Sequence, residues 1–85
     1  MNLPYQLVFA KGFYDSLDRL DSPVKARLPK IFGKLKESPR FGKPLHGKWG
    51  YYRARFLNYR LLYTINEKEQ TVVVLEVGKR ESVYK

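Results

Sequence analysis

Cysteine is absent from the 85 residues, and histidine, methionine and tryptophan occur once each. Without Cys there are no disulfides, thiolate nucleophiles, zinc ribbons or C-x-x-C redox motifs. A lone His46 argues against a His-based metal site, so neither metal nor cofactor is expected. Acidic residues are scarce: eight Asp and Glu stand against 17 Lys and Arg, a formal net charge of +9. No apolar run approaches the ~18 residues of a membrane span. The opening MNLPYQLVFAKGF lacks the basic segment and long apolar stretch of a secretory signal. A cytoplasmic protein with no membrane partner is expected. No phosphate-cradling glycine motif, paired-carboxylate pattern or H-E-x-x-H occurs, which leaves kinase, glycosidase and metalloprotease chemistry without support.

What is present suits one small domain, residues 1–85. The hydrophobic content of 44% supplies a core, and the charged content of 29% is below the range in which chains stay unfolded. A body of this length has a radius of gyration of only ~12 Å. A charge of +9 on so small a body attracts polyanions, and charge alone does not choose between nucleic acid, an anionic surface and an acidic protein.

Local periodicity gives the element order. Tyr5 to Phe9 reads as an opening strand behind Pro4. Phe13, Leu17 and Leu20 line one face of a helix over roughly 11–20. Asp21-Ser22-Pro23 restarts the chain, with Ser22 as cap and Pro23 at the first helical position. A second helix carries Val24, Leu28, Ile31, Phe32 and Leu35 on one side and ends before Ser38-Pro39. Pro29 predicts a kink near 25–29, or a helix that starts later than Ser22 suggests, because inside a helix it deletes a backbone hydrogen bond. Residues 38–50 read as a loop. Tyr51 to Phe56 and Tyr59 to Ile65 alternate with period two around a tight Leu57-Asn58 turn, where Asn tolerates positive φ. Asn66 to Gln70 is a polar turn. Thr71 to Val77 is nearly all apolar, as expected of a central strand ended by Gly78. The expected fold class is α+β in the order β-α-α-β-β-β, with a helix hairpin packed on one face of a small, mainly antiparallel sheet.

The basic surplus is localised. Between Glu37 and Glu67 no acidic residue occurs, while Arg40, Lys43, Lys48, Arg53, Arg55 and Arg60 contribute six positive charges. A turn centred on Leu57-Asn58 sets Phe56 opposite Tyr59, Arg55 opposite Arg60 and Arg53 opposite Leu62. Tyr52, Ala54, Phe56, Tyr59, Leu61 and Tyr63 then share the core face, and Arg53, Arg55 and Arg60 share the other. Like charges directly opposite destabilise a sheet, and Arg forks suit phosphate, so an anion is expected to complete the cluster. Glu76 or Glu81 neutralising one guanidinium, or a bulged turn scattering the arginines, are the alternatives. The chain continues beyond Gly78 through Lys79, and Arg80 leaves the sheet close to its middle strands. Tyr84 either packs as a lid or presents its ring to a base. His46 reads as a solvated or packing residue, and Trp49 as a core or loop anchor.

The segments KPLHGKWGYYRARFLNYRLLYTI and VVVLEVGKRESVY resemble the RelE/ParE superfamily of toxin components, and the element order matches along essentially the whole chain. The series Y-R-x-R, Y-R-L-x-Y and V-x-x-V-G-K-R-x-x-V-Y is similar to its RelE side. That resemblance implies a toxin of a type II toxin-antitoxin system, a metal-independent endoribonuclease that cuts mRNA in the ribosomal A site through 2′-hydroxyl attack. It implies catalytic roles for Arg53, Arg55, Arg60, Arg80 and Tyr84, and RNA-binding roles for Arg40, Lys43, Lys48 and Lys79. RelE enzymes often carry lysines where Arg53 and Arg55 stand. Arginine keeps its proton, so these two are expected to orient and neutralise, leaving proton abstraction to Tyr84, Lys48 or Lys43. The implied partners are a cognate antitoxin, the ribosome with its mRNA, and operator DNA only through the antitoxin complex. The alternatives are a non-catalytic ParE-like inhibitor of DNA gyrase and a basic RNA- or ribosome-binding module without catalysis.

Overall fold

The computed structural model describes residues 4–45, 47 and 50–79. Its elements are β1 (Gln6–Phe9), α1 (Lys11–Leu17), α2 (Ser22–Lys25), α3 (Leu28–Glu37), a 3-10 turn (Pro39–Phe41), β2 (Lys43–Pro44), β3 (Tyr51–Phe56), β4 (Tyr59–Asn66) and β5 (Thr71–Lys79). Each of three prolines stands in the first turn of its helix: Pro23 in α2, Pro29 in α3 and Pro39 in the 3-10 turn. There a missing N–H leaves no intrahelical bond unmade. The kink expected around Pro29 is accordingly a break after Lys25 that divides the second helix into α2 and α3. Ser22 does not cap; it is the first residue of α2, and Asp21 occupies the cap position with no side-chain bond.

The five strands form one sheet in the order β1-β5-β4-β3-β2. β1 runs parallel to β5, and the other pairs are antiparallel. β5 therefore has a neighbour on both sides, in keeping with its apolar run. The extra strand β2 and the 3-10 turn fall in the segment that the sequence presents as loop. Two residues cannot show a period.

Phe13, Leu20, Val24, Leu28, Ile31 and Leu35 from the helical side pack onto Ala54, Phe56, Leu61, Tyr63, Val72, Val74 and Val77 from the sheet. The spacing of Leu28, Ile31 and Leu35 is one face of α3. On β5 the parity changes between Val74 and Val77, because a bulge lies between Leu62/Tyr63 of β4 and their partners Glu76 and Val74. The extra residue, Leu75, keeps valines on the core face along the whole strand and turns Glu76 and Gly78 to the opposite face. Past the end of β1, α1 takes over the β5 edge: the Val77 N–H donates to Ser16 Oγ at 3.1 Å, and that hydroxyl donates to the Phe13 carbonyl at 2.9 Å.

Tyr63 fastens the middle of the sheet to the segment after α3. Its buried hydroxyl donates to the Pro39 carbonyl at 2.6 Å and accepts from the Gly42 N–H at 3.2 Å. Burial pushes the phenol up from its ordinary 10.0 to about 12, only partly offset by the Gly42 bond. The folded state thus keeps a proton that the unfolded chain releases. This contribution is intact below pH 10 and is lost as pH rises from 10 to about 12, a loss of ~2–3 kcal/mol at ~1.4 kcal/mol per pH unit. Urea unfolding across that range should show a steeper alkaline loss for the parent than for Tyr63→Phe. Parallel curves would contradict it.

Candidate functional site

Because side chains alternate along a strand, residues that flank core positions face away from the helices. The β3–β4 hairpin pairs Phe56 with Tyr59, Arg55 with Arg60 and Arg53 with Leu62. This is the register expected of a two-residue turn. The positive φ falls on Leu57, at 54°, rather than on Asn58. That is the first central position, where a type II′ turn requires it.

The face opposite the helices is therefore ordered in rows across the strands. One row holds Arg55, Arg60 and Gly78, and the next holds Lys43, Arg53, Leu62 and Glu76. A third holds Tyr51, Thr64, Val73 and Val8. The cations gather at one corner, where β2, β3 and β4 meet, and the third row carries no charge. Glu76 shares a row with Arg53, but Leu62 stands between them, and two strand spacings separate their backbones by about 10 Å. Gly78 stands beside Arg60 in the register and contributes no side chain to the first row.

Arg60 is the one buried charged residue among those described, at 5% exposure. Its neighbours Tyr59 and Leu61 belong to the core face, and its guanidinium is carried within the surface of the other. Arg55 stands directly opposite it in the register, so two guanidinium groups share this corner. The corner is thus a preorganised positive site. Among the described residues no group of three His, Cys, Asp or Glu side chains is placed to hold a metal ion.

Of the residues singled out in the sequence, Lys43, Arg53, Arg55 and Arg60 come together. Two others do not. Arg40 follows α3 in the 3-10 turn and lies on the helix side, donating to the Tyr52 hydroxyl at 3.0 Å and forming an ion pair with Glu67, which also accepts from the Tyr5 hydroxyl. The Tyr5 bond first, and then Arg40, hold the Glu67 carboxyl below the usual carboxylate range. Glu67 is beyond the acid-free stretch, and nothing in the spacing shows that the β4–β5 turn brings it back to Arg40. Lys79 pairs with Tyr59 and so falls on the helix side, by a 270 Å³ hollow shared with Ser16 and Arg19. Its parity differs from that of Glu76 and Gly78. Lys48, Arg80, Glu81 and Tyr84, together with His46 and Trp49, lie outside the described residues.

Comparison with known proteins agrees with the architecture. Residues 7–84 match the family described as the ParE toxin of the type II toxin-antitoxin system parDE. The chain is 36% identical to Toxin RelG of Mycobacterium tuberculosis, over 98% of this chain and 99% of that one. It is 29% identical to Toxin RelE of the same organism, over 96% and 88%. Among solved structures, the RelBE2 toxin-antitoxin complex of M. tuberculosis superposes with a TM-score of 0.84 at 36% identity, covering 94% of this chain and 95% of that one. The intact E. coli RelBE complex superposes at 0.79 and 32%, covering 91% and 98%. With the sheet order, the helices on one face and nearly the whole length in agreement, the chain belongs to the ParE toxin family of type II toxin-antitoxin systems, within the RelE/ParE superfamily.

Proposed function

We propose that the protein is a ribosome-dependent endoribonuclease that cuts mRNA in the A site, inhibits translation in the cytoplasm, and is held in check by a cognate antitoxin. The observation that carries this reading is the buried Arg60 beside Arg55 and Arg53 on one sheet face. Guanidinium forks gathered on one face match the paired oxygens of a phosphodiester. In the reaction the 2′-oxygen bonds to phosphorus, the bond from phosphorus to the 5′-oxygen breaks, and a proton leaves the 2′-hydroxyl while another reaches the departing 5′-oxygen. A cyclic phosphate and a 5′-hydroxyl result. The phosphorane carries more negative charge on its equatorial oxygens than the ground state, so a preplaced guanidinium favours it selectively.

In this scheme Arg60 stabilises that charge, and Arg53 and Arg55 orient the strand and neutralise it, as residues that do not give up a proton. Lys43, opposite Arg53 in the register, binds the adjoining phosphate. By resemblance Arg80 joins Arg60, Tyr84 takes the 2′-hydroxyl proton, and Lys48 adds to RNA binding. The partner reading is supported by the solved relatives, toxin–antitoxin complexes whose toxins share this fold. An acidic or amphipathic segment of the antitoxin would suit the basic corner and the uncharged row beside it.

The deciding experiment is 5′-end mapping of message on programmed ribosomes with the purified protein. Discrete A-site ends, lost in Arg80→Ala and Tyr84→Phe, are expected. The family description also names ParE, which supports a second reading as a gyrase inhibitor. Intact message together with inhibited supercoiling would establish that reading instead.

A further inference from the structure

At the outer edge of the sheet, β2 pairs with β3 at Arg53 and Tyr52, and the Leu45 N–H continues the contact by donating to the Tyr51 carbonyl at 2.8 Å. Beyond Arg53 the edge of β3 faces a groove of about 320 Å³ lined by Lys34, Phe41, Gly42, Lys43, Arg53 and Arg55. Four of the described residues that line it are cations, and none of the described lining residues is a carboxylate. Phe41, in the 3-10 turn after α3, is 39% exposed, and Lys34 Nζ stands 5.7 Å from its ring centre. An aromatic ring with basic side chains around it is the arrangement by which proteins hold single-stranded nucleic acid: the ring stacks on a base and the cations follow the backbone. Arg53 and Arg55 line this groove and also stand in the rows of the open face, so the two surfaces are continuous.

We propose that the groove receives the RNA segment next to the scissile phosphate, with one base stacked on Phe41 and Lys34 and Lys43 on the flanking phosphates. This rests on the nuclease reading for the identity of the strand, but the groove is tested separately. A polypeptide is the poorer fit. Strand addition has only residues 54–56 of β3 to pair with, and the lining lacks the alternating apolar pockets that give such peptides their specificity.

The test is fluorescence anisotropy with 2′-O-methyl oligoadenylates of three and ten nucleotides, which bind but cannot be cut. The parent should hold the ten-mer roughly 10-fold tighter than the three-mer, and Phe41→Ala and Lys34→Glu should each remove about 5-fold or more of that advantage, as expected for losing one stacked base or one phosphate contact. Phe41→Trp should retain it. Both side chains are exposed, and unchanged thermal midpoints would exclude unfolding as the cause. Equal ten-mer binding by parent and variants, or no ten-mer binding by the parent, overturns the proposal. So does a decaglutamate peptide whose binding falls in step with RNA in Phe41→Ala. If the groove variants lose RNA affinity while programmed ribosomes keep their message intact, the groove stands and the nuclease reading falls. Cleavage by the parent with groove variants unaffected in binding gives the reverse.

Discussion

Arg60→Met should lower message cleavage on programmed ribosomes by roughly 10²–10³-fold, the usual consequence of removing one preorganised donor to a developing oxyanion, while the thermal midpoint stays within a few degrees of the parent. The separation of the two effects is the informative part. Arg60 is 5% exposed, so truncation to Ala would open a cavity and confuse lost catalysis with lost folding. Methionine keeps most of the volume and so limits the cavity that loss of the guanidinium would leave. It also removes the like charge directly opposite Arg55. Arg60→Lys separates charge from shape. It restores the cation without the fork that can place two N–H groups on a phosphate, and so should recover part of the activity. Cleavage by Arg60→Met within a factor of three of the parent would remove Arg60 from the reaction.

Where the fold follows from strong local periods, the sequence alone was sufficient. Alternation through Tyr51–Phe56 and Tyr59–Asn66, with a two-residue turn between, determines which side of the sheet each arginine takes, since a slip by one residue would drive Leu61 and Tyr63 out of the core. The same argument fails on β5. Thr71 to Val77 is nearly all apolar, so alternation gives no warning of the bulge at Leu75, and the placement of Glu76 and Gly78 depends on that one residue. Arg40 shows a different limit. It stands in the same acid-free stretch as the cluster, but its partner Glu67 is brought to it by the β4–β5 turn, an encounter between distant positions that no local pattern encodes. The Phe41 groove is of that kind too, assembled from α3, the 3-10 turn and the edge of β3. Pro29 lies between these cases. Its chemistry forbids an uninterrupted helix, and the break after Lys25 is how the chain complies.

Gly42→Ala should be the most destabilising conservative change in the described part of the molecule. The backbone at Gly42 has φ −76° and ψ 177°, ordinary extended geometry open to any residue, so the requirement for glycine is one of space. A Cβ there would stand 2.3 Å from the Arg53 carbonyl oxygen and 2.5 Å from the Tyr63 hydroxyl. The first obstacle is backbone and the second is a buried side chain, so neither can swing aside. Overpacking of this kind costs about 1–3 kcal/mol, and displacing the Tyr63 hydroxyl from Pro39 and Gly42 adds about 1 kcal/mol for each bond disturbed. A total of about 3–5 kcal/mol is a large share of the ~4–13 kcal/mol typical of a domain this size. The thermal midpoint should fall by on the order of 15 °C or more, and a fall of less than 5 °C would show that the segment yields without cost. Tyr63→Phe provides the internal check. It deletes the oxygen at 2.5 Å while leaving the Arg53 carbonyl at 2.3 Å, so the double variant should be less unstable than the sum of the two single changes, without recovering the parent. The same contact bears on the site, because Gly42 leads directly into β2 and brings Lys43 opposite Arg53. Whatever fraction of Gly42→Ala remains folded should therefore bind RNA more weakly than the parent, with a shallower dependence on salt, as expected when one phosphate contact is lost.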